Sequence, residues 1–229
     1  MGSAPKAHPP TARVKRAEGG KSHPLRQFFI LQMAMSLRKG WHVNPLYAAA
    51  KEISDFMTAR KWKFCIIGGL AVMRWGEPRT TLDVDMTLLT GFGDEERFAS
   101  EFLANFSPRI SGALELALHK RVLLLRASNG KDIDISFGAL PFEEQVIRRA
   151  TPFEFASGIR LPTCSAEDLF IMKVFAGRPR DWGDAEGVAI RCGKSLKIKC
   201  ILSTLRQLCG LKETQEAVER AREILKANR

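Results

Sequence analysis

Two segments in which apolar and charged residues alternate have the clearest pattern along the chain. Residues 82–88 alternate apolar residues with Asp83 and Asp85, and residues 132–137 alternate in the same way around Asp134. Strict alternation predicts β-strands, because successive side chains of a strand point to opposite faces. Each of these strands therefore has one apolar face and one acidic face.

A pair of glycines precedes the first acidic strand. The apolar run Phe64–Ile67 predicts a buried strand, Gly68-Gly69 follows it, and Leu70–Trp75 predicts a short helix that Gly76 can end. Glycine lets backbone N–H groups approach a ligand closely, and a helix N-terminus favours anions. Strand, Gly-Gly, helix and acidic strand are together typical of a site that holds a phosphate beside carboxylates.

The rest of the pattern places helices around these strands. Asn44-Pro45 is a helix-start signal, because a capping side chain precedes a proline at the first helical position. The other predicted elements are helices at 45–60, 94–106, 142–149, 165–176 and from Asp184, strands at 122–125 and 159–161, a hairpin turn at 128–130, and two helices split by Gly210 within 195–227. Residues 107–120 have no readable pattern. The sequence thus predicts an α/β fold with a small mixed sheet flanked by helices and a C-terminal helical part.

The composition changes along the chain and suggests three regions. Residues 1–34 are rich in Pro, Gly, Lys and Arg, and we expect a basic, disordered tail there because so few apolar residues cannot form a core. This tail is either a nucleic-acid-binding arm or a leader upstream of an internal start at Met33 or Met35, and we favour the leader. Residues 35–161 are the predicted core and residues 162–229 the predicted C-terminal helical part.

Composition and charge limit the class of protein. The net charge of +11 favours polyanions such as RNA, DNA or nucleotides as partners. The longest apolar runs are far shorter than the ~18 residues of a membrane span, and no signal-peptide pattern is visible, so we expect a cytoplasmic protein without a membrane partner. The five scattered cysteines fit free thiols in a reducing compartment better than a disulfide framework or a zinc site.

The acidic faces suggest a metal site. Asp83 and Asp85 lie two residues apart on one face, which places them only ~6–7 Å apart along a strand. Two carboxylates this close repel each other, and a shared hard cation such as Mg²⁺ relieves the repulsion. The second strand adds a further carboxylate, either Asp132 near the hairpin turn or Asp134 deeper in the strand.

This constellation resembles a known family. Gly-Gly, thirteen residues and then Asp-Val-Asp between apolar residues is similar to the signature of the polymerase-β-type nucleotidyltransferases. Within that superfamily the chain most resembles bacterial nucleotidyltransferases of the AbiEii abortive-infection toxin type. The similar stretches are GGLAVMRWGEPRTTLDVDM, DIDISFGALPFEEQVIRRA and SAEDLFIMKVFAGRPRDWGDAEG, which together cover much of residues 64–187.

The resemblance implies a role for each matching residue. It implies an NTP substrate, two Mg²⁺ ions as cofactors, and a third carboxylate on a later strand, which aligns best with Asp134. It also implies that the helical part, residues 162–229, closes over the nucleotide site. The implied catalytic and metal-binding residues are Asp83, Asp85 and Asp134, and the implied nucleotide-binding residues are Gly68, Gly69, Arg79, Thr80, Lys173 and Asp184. Two alternatives stay open: Arg79 could instead form a salt bridge to Asp83 or Asp85, and Lys173 could instead extend to solvent.

The acceptor of the nucleotidyl group has several candidates. RNA, in particular a tRNA 3′ end, is implied by the toxin-like subgroup, and the positive charge permits it. A small hydroxyl compound or a hydroxyl side chain of a protein are alternatives within the same enzyme class. A non-catalytic nucleotide-binding or antitoxin-like protein is the alternative from a different class. A cognate antitoxin is an expected partner if the chain is a toxin.

Overall fold

A mixed β-sheet is the central element of the structure, a computed structural model that describes residues 44–211 and 213–228. The tail predicted over residues 1–34 lies outside these residues. All the described residues belong to one unit, Val43–Arg229. The boundary predicted between residues 161 and 162 stays a prediction.

The sheet has seven strands in the order β3-β4-β5-β2-β1-β7-β6. Strands β2 and β5 are parallel neighbours, as are β1 and β7, whereas the other neighbouring pairs are antiparallel. The strands are β1 (Phe64–Ile66), β2 (Asp83–Leu89), β3 (Ser107–Pro108), β4 (Val122–Arg126), β5 (Asp132–Gly138), β6 (Thr151–Ala156) and β7 (Ile159–Thr163). The mixed sheet with flanking helices confirms the predicted α/β fold class.

Helices cover both faces of this sheet. They are α1 (Pro45–Ala59), α2 (Gly68–Trp75), α3 (Glu95–Leu103), α4 (Ala113–Lys120), α5 (Pro141–Arg149), α6 (Ala166–Ala176), α7 (Pro179–Cys192), α8 (Ile198–Leu211) and α9 (Gln215–Ala227), with a 3₁₀ turn at Gly193–Ser195. Within residues 44–211 and 213–228, no helix combines the length and the apolar character needed to cross a bilayer.

Two hydrophobic cores lie on opposite faces of the sheet. The first contains the apolar sides of β2 and β5, including Val84 and Ile135, together with buried residues of α1, α3 and α4. The second contains Cys65 of β1 and buried residues of α5 to α9. Because side chains alternate along a strand, the acidic sides of β2 and β5 face away from the first core. This places the carboxylates on the side of the sheet where the C-terminal helices pack.

Local signals in the sequence set several helix ends. The Asn44 side chain accepts a hydrogen bond from the Leu46 N–H at 2.9 Å, and the Ser165 hydroxyl accepts one from the Asp168 N–H at 3.1 Å. Gly177 ends α6 in the left-handed conformation, with φ of 69°. The predicted starts of α1 and α6 and the predicted stop at Gly177 are therefore confirmed.

Several elements differ from the prediction. The predicted helix split at Gly210 is wrong, because α8 continues through this residue to Leu211. Helix α2 begins at Gly68 rather than Leu70, so the glycine pair lies in its first turn. Helix α7 begins at Pro179 rather than Asp184, because proline is already in a suitable conformation for the first helical position. Helix α4 was missed because its leucines, at 114, 116 and 118, recur at every second position, whereas the residues that it buries are Ala113 and Ala117. Strand β6 was missed because it is a mostly exposed edge strand.

Candidate functional site

Three aspartates come together on neighbouring parallel strands. Asp85 of β2 lies opposite Asp134 of β5, and Asp83 lies opposite Asp132 in the same register. Carboxylate oxygens of Asp83, Asp85 and Asp134 all lie within 4.8 Å of one another, and each of the three residues is half-buried. The structure therefore brings together the three carboxylates singled out in the sequence, with Asp134 rather than Asp132 as the third.

The charges in this cluster repel one another. Burial raises the pKa of Asp85 above its ordinary value, and Asp83 and Asp134 raise it further, whereas the Gly69 N–H and Lys173 oppose the shift. Burial also raises the pKa of Asp134, and this effect outweighs the ion pair that Asp134 forms with Arg109. Carboxylates that are difficult to keep ionised together form a site that a cation would stabilise.

The glycine pair makes room for these carboxylates. A β-carbon on Gly68 would lie 1.9 Å from Asp85 Oδ2, and one on Gly69 would lie 2.2 Å from the hydroxyl oxygen of Thr81. The Gly69 N–H donates to Asp85 Oδ2 at 3.2 Å, and the Thr81 hydroxyl donates to Asp83 Oδ1 at 3.0 Å. In this structure the first turn of α2 thus binds and orients the acidic strand.

Lys173 and Arg79 share one buried carboxylate. The Lys173 ammonium lies 2.8 Å from Asp184 Oδ2 and 2.9 Å from Asp181 Oδ1. Arg79 donates to the two oxygens of Asp184 at 2.6 and 2.8 Å. Burial alone would raise the pKa of Asp184, but the hydrogen bonds from Arg79 and Lys173 outweigh it and lower that pKa. The network connects the loop before β2 to helices α6 and α7.

These contacts show where the two cations lie in this structure, whereas their predicted nucleotide-binding roles stay predictions. Arg79 does form a salt bridge, but its partner is Asp184 rather than Asp83 or Asp85. Lys173 does not extend to solvent, since only 12 % of its side chain is exposed. It is close enough to Asp85 to lower the pKa of that carboxyl. Thr80 is exposed, and its carbonyl oxygen accepts a hydrogen bond from Arg180 at 3.0 Å.

Arg109 was not predicted as a site residue. This residue follows the two-residue strand β3, inside the stretch without a readable pattern, and its side chain reaches Asp134. Nη1 lies 2.7 Å from Asp134 Oδ1, and Nη2 donates to Oδ2 at 3.3 Å. A signal that could have identified it is its position directly after Pro108, at the end of a short edge strand. This position points to the site only when the order of the strands is known.

The three carboxylates fit a hard divalent cation. Mg²⁺ prefers oxygen ligands at 2.0–2.1 Å, so two ligand atoms across one ion lie up to about 4.2 Å apart. Oxygens within 4.8 Å of one another need only small side-chain rotations to reach this spacing. Among residues 44–211 and 213–228, this is the one cluster of at least three possible ligands that meets the distance limit.

Comparison with known proteins gives a likeness in fold. No protein-family model and no curated protein matches the sequence. An antigenic nucleotidyltransferase-like protein from Paracoccidioides brasiliensis is 14 % identical with a TM-score of 0.45, over 76 % of this chain and 92 % of that chain. The antibiotic-resistance factor ANT(2'')-Ia is 16 % identical with a TM-score of 0.44, over 77 % and 96 % of the two chains.

A viral enzyme has a weaker likeness. The Megavirus polyadenylate synthase is 11 % identical with a TM-score of 0.38, over 80 % of this chain and 40 % of that chain. Identities and scores this low describe resemblance in fold alone. The functional argument therefore rests on the geometry of the site.

Proposed function

We propose that this chain is a Mg²⁺-dependent nucleotidyltransferase that moves an NMP from an NTP to a hydroxyl acceptor and releases pyrophosphate. The observation that carries the proposal is the meeting of Asp83, Asp85 and Asp134 within 4.8 Å, next to a glycine turn at the start of a helix. The spacing of these residues in the sequence resembles polymerase-β-type nucleotidyltransferases, and the AbiEii-type, toxin-like subgroup is the finer part of the proposal.

Asp83, Asp85 and Asp134 would hold the metal, with two ions in the complete site. When bound, the ions neutralise charge on the triphosphate and lower the pKa of the acceptor hydroxyl. Asp134 would also be the carboxylate that takes up the hydroxyl proton. It lies on the neighbouring strand, directly opposite Asp85, so it can face an acceptor while Asp83 and Asp85 face the nucleotide.

The remaining site residues would bind the nucleotide. Lys173 is held by Asp181 and Asp184, and its ammonium acts on Asp85 through space, so it is placed beside the metal cluster. We assign it to the charge on the leaving phosphates, together with the amides of Gly68-Gly69. Arg79 and Thr80 lie in the loop before β2, where a phosphate could take over one of the guanidinium contacts now made to Asp184.

RNA, with a tRNA 3′ end as the specific case, is the proposed acceptor. Residues 1–43 contain eight of the 36 basic residues but one of the 25 acidic residues, so they carry most of the net charge of +11. Residues 44–229 have 28 basic and 24 acidic residues and are almost balanced. A polyanionic acceptor would be attracted mainly by the first 43 residues, so the charge supports RNA only if this segment is the nucleic-acid-binding arm and not the leader. A cognate antitoxin partner belongs to the same toxin-like proposal.

A transfer assay tests the reaction and the acceptor together. The full chain is incubated with each α-³²P-labelled NTP, Mg²⁺ and total bacterial RNA, and compared with an Asp83→Ala, Asp85→Ala double variant. An Asp94→Ala, Glu96→Ala variant removes two carboxylates from the exposed start of α3 and serves as the matched control. We expect label in RNA with the wild type and the control, and none with the site variant.

The other outcomes redirect the proposal. If the chain binds NTP in a metal-dependent manner but does not label RNA, RNA is excluded as the acceptor. The acceptor would then be a small hydroxyl compound or a hydroxyl side chain of a protein. If the chain shows no NTP binding and no transfer, the enzyme hypothesis is contradicted, and a non-catalytic, antitoxin-like binding partner of this fold is left. Because phosphate contacts release counterions, binding of an RNA acceptor should also weaken steeply as salt rises.

A further inference from the structure

Arg109 stands at the end of a row of residues that crosses the sheet to the acidic cluster. Its backbone N–H donates to the Leu124 carbonyl oxygen at 3.0 Å, which fixes it beside β4. Leu124 lies opposite Asp134, and Asp134 lies opposite Asp85. The guanidinium extends along this row and contacts both oxygens of Asp134, at 2.7 and 3.3 Å. A fixed cation therefore lies against the third carboxylate.

A second carboxylate lies within reach of the same guanidinium. Nη1 of Arg109 is 3.6 Å from Asp132 Oδ2, and Asp132 is two residues before Asp134 on the same face of β5. Asp132 is more exposed than Asp134, with 38 % against 28 % of the side chain accessible. Arg126 also approaches Asp132, at 3.3 Å. Arg109 thus has a second position available at the edge of the cluster.

We propose that Arg109 is a positioning residue that occupies Asp134 as a substitute cation until a divalent metal binds, and that it then transfers to Asp132. The inference rests on the proposed function. A guanidinium that contacts both oxygens of a carboxylate competes with a metal for those oxygens. Because the metal must displace Arg109 from Asp134, a metal ion binds less tightly in the absence of nucleotide. Asp132 reduces this loss of affinity, because it forms an ion pair with the displaced guanidinium.

Titration with Mn²⁺ as the probe tests the competition. Free Mn²⁺ is measured by electron paramagnetic resonance while the full chain, without nucleotide, is titrated. Arg109→Gln should bind Mn²⁺ about tenfold more tightly or better, since two charges this close interact strongly even at a high effective dielectric constant. Arg109→Lys restores the positive charge and should return the Kd towards the wild-type value.

Arg126→Gln is the matched control for a general change of charge. It removes one positive charge beside the cluster, but Arg126 is paired with Asp132 and has 49 % of its side chain exposed. We expect its Mn²⁺ affinity to change by less than about threefold, because exposed charges are screened by solvent. Circular dichroism spectra establish that each variant is folded.

The movement of the Arg109 guanidinium from Asp134 to Asp132 is tested by a double-mutant cycle. Asp132→Asn should weaken Mn²⁺ binding while Arg109 is present, because the displaced guanidinium has lost its second partner. The same substitution should have little effect in the Arg109→Gln background. A general electrostatic effect of Asp132 on the metal would instead persist in both backgrounds, because the cycle isolates the coupling between the two residues.

The outcomes separate this inference from the proposed function. If a folded Arg109→Gln variant binds Mn²⁺ with unchanged or lower affinity, the proposed competition between Arg109 and the metal is overturned. The proposed function is still intact in that case if Mn²⁺ binding by the wild type depends on Asp83 and Asp85. If Asp132→Asn changes the Mn²⁺ affinity equally in both backgrounds, the proposed movement of Arg109 to Asp132 is overturned. If neither the wild-type chain nor the folded Arg109→Gln variant binds Mn²⁺, the metal-dependent function itself is contradicted, and the inference is overturned with it.

Discussion

Gly68 and Asp85 approach each other so closely that no side chain fits between them. A β-carbon on Gly68 would lie 1.9 Å from Asp85 Oδ2, and the backbone of Gly68 has a positive φ of 56°. Both the space and the backbone conformation therefore require glycine. The close approach lets the N–H of the next residue, Gly69, donate to the same carboxylate oxygen. The glycine pair is thus part of the structure that supports the carboxylate cluster.

Gly68→Ala should destabilise the protein and disturb the cluster. A left-handed backbone costs a residue with a side chain about 1–2 kcal/mol, and overpacking adds about 1–3 kcal/mol. We expect a total loss of about 2–5 kcal/mol in urea unfolding and weaker Mn²⁺ binding, because Asp85 must move.

Gly158→Ala separates the two causes of this loss. Gly158 also has a positive φ, of 76°, but a β-carbon there meets nothing within 4 Å. The Gly158→Ala variant should lose only the stability that the left-handed backbone costs, about 1–2 kcal/mol, and should bind Mn²⁺ normally. Equal losses of stability in the two variants, with normal metal binding in both, would show that the contact with Asp85 is unimportant.

Asp85→Asn should stabilise the metal-free protein at neutral pH. Burial, Asp83 and Asp134 raise the pKa of Asp85, so the folded chain binds this proton more tightly than the unfolded chain. The destabilisation begins as pH rises above the unfolded pKa and is complete above the raised folded pKa. Asparagine retains an oxygen for the Gly69 N–H and removes the charge. A gain of about 1 kcal/mol corresponds to about 2–4 °C for a chain of this size.

Thermal unfolding in EDTA measures this gain, and Asp55→Asn is its control. Asp55 is an exposed partner of Lys51 on α1, where replacement should change the melting temperature little. The advantage of Asp85→Asn should shrink at pH 4, and added Mg²⁺ should no longer stabilise the variant. A lower melting temperature than wild type at pH 7 would mean that repulsion does not dominate the cluster.

The strands and the acidic residues of the carboxylate cluster could be predicted because their signals are local. Alternation placed Asp83 and Asp85 on one face, and the same alternation placed Asp134 on one face of β5. The preference for Asp134 over Asp132 agrees with the geometry, because Asp134 lies opposite Asp85. The metal-binding role itself stays a prediction, since it depends on a ligand and not only on the positions of the oxygens.

The contacts between distant elements could not be predicted. Arg79 and Asp184 are 105 residues apart, and their pairing depends on how helix α7 packs beside the loop before β2. Arg109 contacts Asp134 only because the edge strand β3 continues the row through β4. Spacing along the chain carries no information about either contact, whereas the order of the strands determines the second one.

Asp184→Asn should destabilise the protein strongly at neutral pH. Removing one partner of a buried ion pair leaves the other charge uncompensated, and such changes cost about 3–5 kcal/mol. Only 4 % of the Asp184 side chain is exposed, and both Arg79 and Lys173 contact it. Urea unfolding at pH 7 should therefore show a loss of this size. Asp94→Asn, in an exposed pair with Arg97, should lose less than about 0.5 kcal/mol.

The destabilisation by Asp184→Asn should depend on pH with a definite sign. The lowered pKa means that the folded chain binds this proton less tightly than the unfolded chain. The stability from the charge is therefore fully present above the ordinary carboxyl pKa of about 3.9 and is lost as pH falls through the lowered folded value. Wild type and variant should converge as pH falls below about 4 and through the lowered pKa of Asp184. If the difference in unfolding free energy between wild type and variant stays constant as the pH is lowered, the loss of stability is due to packing and not to the charge.

Lys173→Met should weaken nucleotide binding by about ten- to a hundredfold. A hydrogen bond to a charged group contributes about 1.5–3 kcal/mol, and methionine has a similar length without the charge. Calorimetry with Mg²⁺ and a non-hydrolysable NTP measures the Kd, and Lys194→Met, at an exposed lysine, is the control. Loss of Lys173 also leaves Asp181 and Asp184 without their shared cation, so urea unfolding is measured in parallel. A destabilised variant that still binds the NTP with wild-type affinity would make Lys173 a clamp between α6 and α7 rather than a phosphate ligand.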